Sequence, residues 1–320
     1  MSASYSNPQQ KRFDITIVGE TNLDLILYGL PENMTVEREI LGSDFNMTLG
    51  GSSSILAHNL ALLGTRVGFV SEVGQDAFGE IARTYLNECA VDLSCFRYKP
   101  NAKTGVTIVL PHGNQRHILT YPGAMSELAV DDLDLRYLTS ARHFHLSSLF
   151  LQTGLHAGLP QLFDDLKAAG LTLSLDTNDD PTGTWRGVLD VLLEKVDILL
   201  PSEPELLRIA DAPTLEEALN KLAPRIPMIV VKCGNRGALV QCGNERQWVR
   251  PIAVTPVDTI GAGDSFNAGF LNAWLAGDSP INAAAMGNIT GALSTLRSGG
   301  IAAHCDSSLR TKFLKANTIR

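Results

Sequence analysis

Long apolar runs and blocks of like charge are missing from this sequence of 320 residues. No segment approaches 18 uninterrupted apolar residues, so no membrane-spanning helix is expected. The net charge is −8, from 26 Lys and Arg against 34 Asp and Glu, and no block of five or six like charges occurs. Nucleic acid and anionic membranes are therefore not expected as partners. With 44% hydrophobic and 19% charged residues, the composition is typical of a folded globular protein with a sizeable core.

Paired cysteines and an apolar leader are also missing. The five cysteines are odd in number, scattered and never spaced C-x-x-C, which argues against a disulfide framework or a zinc knuckle. The opening stretch, MSASYSNPQQKRFD, is polar and lacks the apolar core of a signal peptide. We therefore expect a disordered tail over 1–11, one domain over 12–318 and a location in the reducing cytoplasm.

Several catalytic motifs are absent. The sequence has no G-x-x-x-x-G-K-[ST] phosphate loop, no G-x-S-x-G nucleophile elbow, no G-x-G-x-x-G after the first apolar run and no H-E-x-x-H. These absences weaken the hypotheses of a P-loop nucleoside triphosphatase, an α/β-hydrolase, a dinucleotide-binding enzyme and a zinc protease.

Strand-like and helix-like segments alternate along most of the chain. Alternation of this kind predicts βαβ units and a mostly parallel central sheet covered by helices on both faces, a three-layer α/β sandwich. From 262 onward the pattern becomes mostly helical. Strands are predicted at 13–20, 66–74, 142–147, 171–175, 196–201 and 227–232, and helices at 50–64, 76–89, 155–169, 203–210 and 214–223.

Two segments interrupt this alternation. Residues 28–48 contain no convincing helix, and 104–123 read as two strands joined by a polar turn around His112, Gly113 and Asn114. We predict a small antiparallel lid built from segments at about 28–48 and 98–123. Placed over the strand ends, such a lid excludes water from a reaction. Its strand edges need covering, which favours a homodimer that pairs through the lid.

The stretch DTIGAGDSFNAGF, residues 258–270, carries the clearest chemistry. Gly261, Ala262 and Gly263 let a ligand approach the backbone at a helix start, where free N–H groups and the helix dipole favour an anion. Asp264 stands beside that anion and can accept the proton of an attacking hydroxyl, which fits phosphoryl transfer to an alcohol. We expect the dipole to lower the pKa of Asp264. Taken alone, the stretch fits an ordinary glycine-rich helix entry capped by an acid equally well.

Three blocks together resemble the pfkB, or ribokinase-like, carbohydrate kinases. DTIGAGDSF is similar to the C-terminal signature of that family, D-T-x-G-A-G-D-x-F, at every fixed position. GGSSSILAHNLALLG at 50–64 resembles the N-terminal signature, and VGETNLDLIL at 18–27 resembles the first strand of the family. The order and spacing of the blocks match from 13 to about 305. The resemblance implies a ribokinase-like fold, ATP and Mg²⁺ as cofactors, K⁺ in many members, and a sugar or sugar-like substrate.

The resemblance also assigns roles to individual residues. It implies that Asp264 is the catalytic base beside an anion hole, and that acceptor, nucleotide and metal sites surround it. Without the resemblance, Lys232 reads as a solvated charge at a strand end and Asn288 as a buried helical residue bonded to its own backbone, while Gly234–Gly237 fit a plain hairpin turn as well as a ligand site. The assignments are Gly261, Ala262 and Gly263 for the anion hole; Asn22, Asp24, Gly50, Gly51 and Ser54 for the acceptor; Ser202, Lys232, Gly234, Gly237, Gly263 and Asn288 for the nucleotide; Glu205 for Mg²⁺ through water; and Asp258 for a monovalent cation.

Two positions depart from the family pattern. Ser202 stands where the N-x-x-E motif has asparagine, although its acid is kept at Glu205. Ile55 stands where many members have an asparagine that bonds substrate hydroxyls, which disfavours a fully hydroxylated pentose bound in the ribokinase manner. Separately, His143 and His145 alternate on one strand and share a face, where a packed or substrate-facing pair is a better interpretation than a metal site.

The sequence therefore predicts an ATP-dependent kinase that phosphorylates a hydroxyl of a sugar or sugar-like molecule. Two alternatives stay open. The apolar Ile55 favours a nucleoside kinase with the same chemistry, and a catalytically idle protein that senses a sugar or nucleotide fits the same fold.

Overall fold

The computed structural model describes residues 11–112 and 115–318. The predicted disordered tail lies outside the described residues except for Lys11, and so do Gly113 and Asn114 of the predicted polar turn. No helix in the described ranges is long and apolar enough to cross a membrane.

The strands and helices alternate as the sequence predicts through most of the chain. The strands are β1 (Ile15–Val18), β2 (Asn22–Tyr28), β3 (Asp44–Gly50), β4 (Val67–Val70), β5 (Glu72–Gly74), β6 (Arg97–Lys99), β7 (Gly105–His112), β8 (Gln115–Tyr121), β9 (His143–Ser147), β10 (Thr172–Asp176), β11 (Ile198–Leu199), β12 (Met228–Lys232), β13 (Ala238–Cys242) and β14 (Glu245–Val249). The α-helices are α1 (Ser52–Leu62), α2 (Ala77–Glu88), α3 (Leu135–Leu138), α4 (Leu159–Ala168), α5 (Val188–Leu192), α6 (Glu203–Ala210), α7 (Leu215–Leu222), α8 (Ala262–Ala276), α9 (Pro280–Ser294), α10 (Ala302–Cys305) and α11 (Ser307–Asn317).

Eight strands form the central sheet in the order β14-β13-β12-β11-β10-β9-β1-β4. All neighbours are parallel except β12 with β13 and β13 with β14. The antiparallel β13–β14 hairpin at one edge is absent from the sequence prediction. Its turn residues 243 and 244 separate short polar-apolar runs that resemble a loop as much as a pair of strands.

Helices cover both faces of this sheet, and alternate strand residues divide the core in two. Along β12, Met228 and Val230 pack with α1, α2, α8 and α9, whereas Ile229 and Val231 pack with α4, α5, α6 and α7. Strands buried on both faces are apolar throughout rather than alternating, as the sequence of β12 shows. The predicted three-layer α/β sandwich is confirmed.

A separate four-stranded sheet, in the order β3-β2-β7-β8, forms the lid. Its pairings are antiparallel except for β2 with β7, which is parallel. The lid is larger than the predicted segments at 28–48 and 98–123, because β2 begins at Asn22. The apolar run of β2 resembles a core strand, but only its inner half is fully buried. The predicted strand at 66–74 is also divided, since β5 leaves the central sheet to pair with β6.

Candidate active site

A cleft of about 860 Å³ lies between the lid and the carboxyl ends of the parallel strands. Residues that follow β1, β9, β10 and β11 line one wall, the inner face of the lid lines another, and the first turn of α8 closes the end. Ligands of open α/β sheets bind at such strand ends. Of the predicted site residues, the cleft is lined by Asn22, Asp24, Gly51, Ser202, Glu205, Lys232, Gly234, Gly261, Gly263 and Asp264.

The first turn of α8 presents free backbone donors to this cleft. Gly261 precedes the helix with φ 70° and has no side chain to cap it. A β-carbon at Gly261 would lie 2.5 Å from Cα of Gly300, so only glycine fits there. Among the described residues, no acceptor lies within hydrogen-bond distance of the N–H groups of Gly263 and Asp264. Free N–H groups at a helix start can receive an anion, so the first turn of α8 is a candidate anion-binding turn.

Asp264 lies in that turn with its side chain almost fully buried. Burial raises the pKa of its carboxyl to about 7, and repulsion from Asp176 adds to the effect, while Lys232 and a hydrogen bond with Ser52 oppose it. The expectation of a lowered pKa is wrong, because the cost of removing the carboxylate from water outweighs the stabilisation that the helix dipole gives to its ionised form.

Lys232, at the end of β12, supplies a buried positive charge to the site. Its ammonium forms an ion pair with Asp176 at 2.6 Å, with the two side chains only 12% and 0% exposed. Burial alone lowers the pKa of Lys232, but the carboxylates of Asp176 and Glu205 outweigh it and raise that pKa. A β-carbon at Gly263 would lie 3.7 Å from Nζ of Lys232, so this charge stands beside the anion-binding turn.

Ser202 and Glu205 cap α6 reciprocally at the same end of the cleft. The N–H of Ser202 donates to Oε2 of Glu205 at 2.7 Å, and the N–H of Glu205 donates to Oγ of Ser202 at 3.5 Å. Serine is a favoured N-cap, which gives a local reason for its presence in place of asparagine. Burial raises the pKa of Glu205, and the charge of nearby Asp176 raises it further.

Asp24 stands on the inner face of the lid, across the cleft. Burial raises its pKa to about 8, with repulsion from Asp264 and Asp258 as further causes. A β-carbon at Gly50 would overlap the carboxylate of Asp24, so the first glycine of the pair at 50–51 makes room for that acid. Asn22 donates to Oγ1 of Thr107 at 2.6 Å, and its own Oδ1 is buried without a partner among the described residues. The inner lid face therefore offers polar groups to a bound molecule.

Ser54 and Ile55 follow the glycine pair on α1 and offer no free hydrogen-bonding side chain to the cleft. The hydroxyl of Ser54 is buried and donates to the carbonyls of Gly50 and Gly51. Ile55 does line the cleft and packs against Gly300. The wall around it is apolar, completed by Val109, Ile118, Met125 and Leu151.

Besides Ser54, the predicted residues Gly50, Ala262, Gly237, Asn288 and Asp258 do not line the cleft. Ala262 lies in the first turn of α8, but its N–H donates to the carbonyl of Thr259 at 3.3 Å and, contrary to the prediction, is not a free donor. Gly237 has φ 89°, and a β-carbon there would overlap the carbonyl of Val249. Asn288 donates to the carbonyls of Val249 and Arg250 at 3.2 and 2.9 Å, which ties α9 to the end of β14. Asp258 accepts hydrogen bonds from the N–H of Ile260 and the N–H of Gly299 at 2.9 and 3.0 Å.

A buried polar network escaped the sequence analysis. Asn178 donates to Oγ of Ser52 and of Ser148 at 2.5 and 2.6 Å. Glu20, whose pKa is raised by burial, accepts from Ser148 and Ser53 at 2.6 Å each. Glu20, Ser148 and Asn178 each follow a strand of the sheet, as does Asp176 at the end of β10. The convergence of the carboxyl ends of parallel strands is the signal that could have found them.

His143 and His145 are fully buried inside the sheet. The ring of His143 bonds the hydroxyls of Thr172 and Ser174 at 2.6 and 2.7 Å, and the ring of His145 bonds Ser174 and Ser147 at 2.6 and 2.7 Å. Burial lowers the pKa of both rings to about 3. They form a packed neutral pair away from the cleft.

Comparison with known proteins agrees with this architecture. A family model described as pfkB family carbohydrate kinase matches residues 12–306. The chain is 27% identical over 292 residues to a probable fructokinase-2 of Arabidopsis thaliana, covering 85% of this chain and 88% of that protein. It is 29% identical over 297 residues to a 2-dehydro-3-deoxygluconokinase of Bacillus subtilis (strain 168), covering 87% and 91%.

Solved structures share the fold over almost the whole chain. An Arabidopsis thaliana ribokinase complexed with ribose and ATP superposes with a TM-score of 0.78 at 26% identity, covering 95% of this chain and 99% of that one. A putative ribokinase II from E. coli in complex with ATP and Mg²⁺ gives a TM-score of 0.85 at 24% identity, with 95% and 99% covered. The chain therefore belongs to the pfkB family of carbohydrate kinases, which are phosphotransferases with an alcohol acceptor.

Proposed function

We propose that this protein transfers the γ-phosphoryl group of ATP to a hydroxyl of a sugar or sugar-like molecule held between Asp24 and Asp264. The observation that carries the proposal is the first turn of α8, where free N–H groups and a carboxylate with a pKa near 7 share one helix start. A base whose pKa is close to the working pH transfers protons efficiently.

Each part of the turn has a role in this reaction. Asp264 accepts the proton of the attacking hydroxyl, while the free N–H groups of Gly263 and Asp264 stabilise the charge on the phosphoryl group during transfer. Lys232 adds positive charge beside the same group. The carboxylate of Asp24 binds hydroxyl groups of the acceptor and so fixes its position. Gly50 and Gly51 allow the acceptor to approach the backbone. The lid excludes water, which would otherwise compete for the phosphoryl group.

We place ATP at the other end of the cleft, against Ser202, Lys232, Gly234 and Gly263. Gly237 shapes the turn after β12, and Asn288 holds the β14 end beside the same region. Glu205 is a suitable partner for Mg²⁺, since a carboxylate oxygen is the ligand type that this cation prefers and Mg²⁺ retains several waters. Mg²⁺ held there would supply positive charge that offsets the negative charge of the phosphates of ATP.

We also propose a monovalent cation, K⁺, at Asp258. Hydrogen bonds from Ile260, Gly299 and Tyr28 take three of the roughly four lone-pair sites of its carboxylate, which leaves room for one cation contact. Carbonyl groups of the loop at 297–303 are the further ligands in this proposal. Replacing K⁺ by tetramethylammonium in the assay tests it, because that cation is too large for such a site.

A nucleoside acceptor is the second candidate, and the apolar wall around Ile55 favours it. A base could pack there while the ribose hydroxyls face Asp24. The test is a screen of the full chain with ATP, Mg²⁺ and K⁺ against D-fructose, D-ribose, 2-dehydro-3-deoxy-D-gluconate and adenosine, with phosphorylated products identified by mass spectrometry. Turnover of a sugar or sugar acid supports the first proposal, and turnover of adenosine alone supports the second. Binding of these compounds with no phosphotransfer contradicts both and indicates a sensing protein.

We further propose that two copies associate through the outer face of the lid. Alternation along the strands places Phe45, Ile108, Leu119 and Tyr121 on the face opposite Asp24, and each is 41–59% exposed. Exposed apolar side chains on neighbouring strands are typical of an interface. Sedimentation of the wild type should show a dimer, and Leu119→Glu should yield a monomer; a monomeric wild type contradicts the proposal.

A further inference from the structure

Strand β2 joins the acceptor side of the cleft to the loops behind the anion-binding turn. Asp24 and Tyr28 lie four residues apart on one strand, so their side chains share a face. Asp24 lines the acceptor side of the cleft. At the other end of the strand, the hydroxyl of Tyr28 donates to Oδ2 of Asp258 at 2.7 Å and also contacts Oγ of Ser298. A strand held in a four-stranded sheet links these two ends rigidly.

Asp258 in turn holds the two segments that shape the anion-binding turn. Its Oδ1 accepts the N–H of Ile260 at 2.9 Å, and Ile260 directly precedes Gly261. Its Oδ2 accepts the N–H of Gly299 at 3.0 Å, and the next residue, Gly300, packs against Gly261. The carboxylate that Tyr28 contacts therefore determines where the turn begins and what supports it.

A second lid strand contacts the same loop. Nδ2 of Asn46, on β3, donates to Oγ of Ser298 at 2.9 Å. Thr48, also on β3, lies against Gly299, where a β-carbon would come within 2.7 Å of its methyl group. Two lid strands thus contact residues 298–299 directly.

We propose that Tyr28 is a positioning residue that couples the acceptor-binding lid to the anion-binding turn, so that the phosphate site is fully ordered only when the lid is seated. The inference rests on the proposed function. It adds that an acceptor bound at Asp24 holds β2 in place and thereby orders the backbone donors of the first turn of α8. Acceptor binding and phosphoryl transfer are thereby linked through the hydrogen bond from Tyr28 to Asp258, supported by the contacts of β3 with residues 298–299.

The test compares Tyr28→Phe with Tyr85→Phe, which removes the same atom from a half-buried tyrosine on α2, outside the cleft and the lid. Hydrogen exchange is measured for both full-length variants and the wild type with MgATP alone. Loss of a hydrogen bond to a charged group should speed exchange of the amides at 260–264 and 299–300 by about tenfold in Tyr28→Phe. Tyr85→Phe should match the wild type. Asn46→Ala removes the second lid contact, leaves Tyr28 in place and should change the same amides in the same direction.

Kinetics form the second arm, with the four acceptors named above and a fixed K⁺ concentration. In Tyr28→Phe, kcat should fall about tenfold while the dissociation constant of ATP stays unchanged. Unchanged exchange at 260–264 in both Tyr28→Phe and Asn46→Ala overturns the coupling, and so does faster exchange with an unchanged kcat. The wild type could also phosphorylate none of the four acceptors while amide exchange at 260–264 is still faster in Tyr28→Phe and Asn46→Ala than in the control. In that case the proposed function fails and the structural coupling stands.

Discussion

Replacing Asp264 by asparagine should make the protein more stable and nearly inactive. Burial raises the pKa of Asp264 to about 7, about three units above the value of about 3.9 in an unfolded chain. Between pH 4 and 7 the unfolded chain releases this proton while the folded chain keeps it, so folding stability falls as pH rises through that window. At 1.36 kcal/mol per unit, the cost reaches about 4 kcal/mol at pH 8. Asp264→Asn removes this cost.

Urea unfolding at pH 4 and pH 8 measures this effect. Asp264→Asn should gain up to about 4 kcal/mol over the wild type at pH 8 and almost nothing at pH 4. Asp278→Asn is the control, because Asp278 is exposed just beyond the same helix and should change stability by less than about 0.5 kcal/mol. In the same protein samples, kcat of Asp264→Asn should fall by about two to four orders of magnitude while ATP still binds. If Asp264→Asn and the wild type have equal free energies of unfolding at pH 8, or if Asp264→Asn keeps a near-normal kcat, the reasoning is refuted.

Three further predictions concern the same cleft. The kcat/KM of the wild type should rise with pH through about 7, as Asp264 ionises, and a flat profile between pH 5.5 and 8.5 would exclude Asp264 as the titrating base. Lys232→Met leaves Asp176 buried without its partner, so urea unfolding at neutral pH should show a loss of about 3–5 kcal/mol, and any remaining activity should rise at a higher pH than in the wild type. Gly50→Ala forces a β-carbon into Asp24, so the acceptor KM should increase by about tenfold while the KM for ATP is unchanged; an equal increase in both would place Gly50 outside the acceptor site.

The layered fold could be predicted from sequence because its strands are short, apolar and separated by helices. β12 and β10 are examples, since each is bounded by polar or glycine-containing segments and buried on both faces. β2 could not be assigned to the lid, because Leu23, Leu25 and Leu27 alternate with Asp24 and Ile26 in a run that suits a core strand equally well. Its place depends on pairing with β3 and β7, which lie far away along the chain.

The candidate site was predictable where chemistry is local and unpredictable where it depends on packing. Gly261 and Asp264 occupy one turn, so their spacing alone indicates an anion beside an acid. The pKa of Asp264 depends instead on burial and on Asp176, which lies 88 residues earlier in the chain. Lys232 likewise reads as a surface charge until its partner is known, because nothing near it in sequence reveals the ion pair with Asp176.

The paired histidines of β9 have a consequence for how the sheet assembles. Each ring nitrogen of His143 and His145 has a hydroxyl partner, and Ser174 of β10 serves both rings. A slip of β10 by one residue would replace Ser174 with Leu173 or Leu175 and leave buried nitrogens without partners, at a cost of about 1–3 kcal/mol for each unsatisfied group. Apolar packing by itself makes such a change of register unfavourable but does not prevent it. The two rings therefore select one alignment of β9 and β10 during folding, and with it the position of Asp176 at the end of β10.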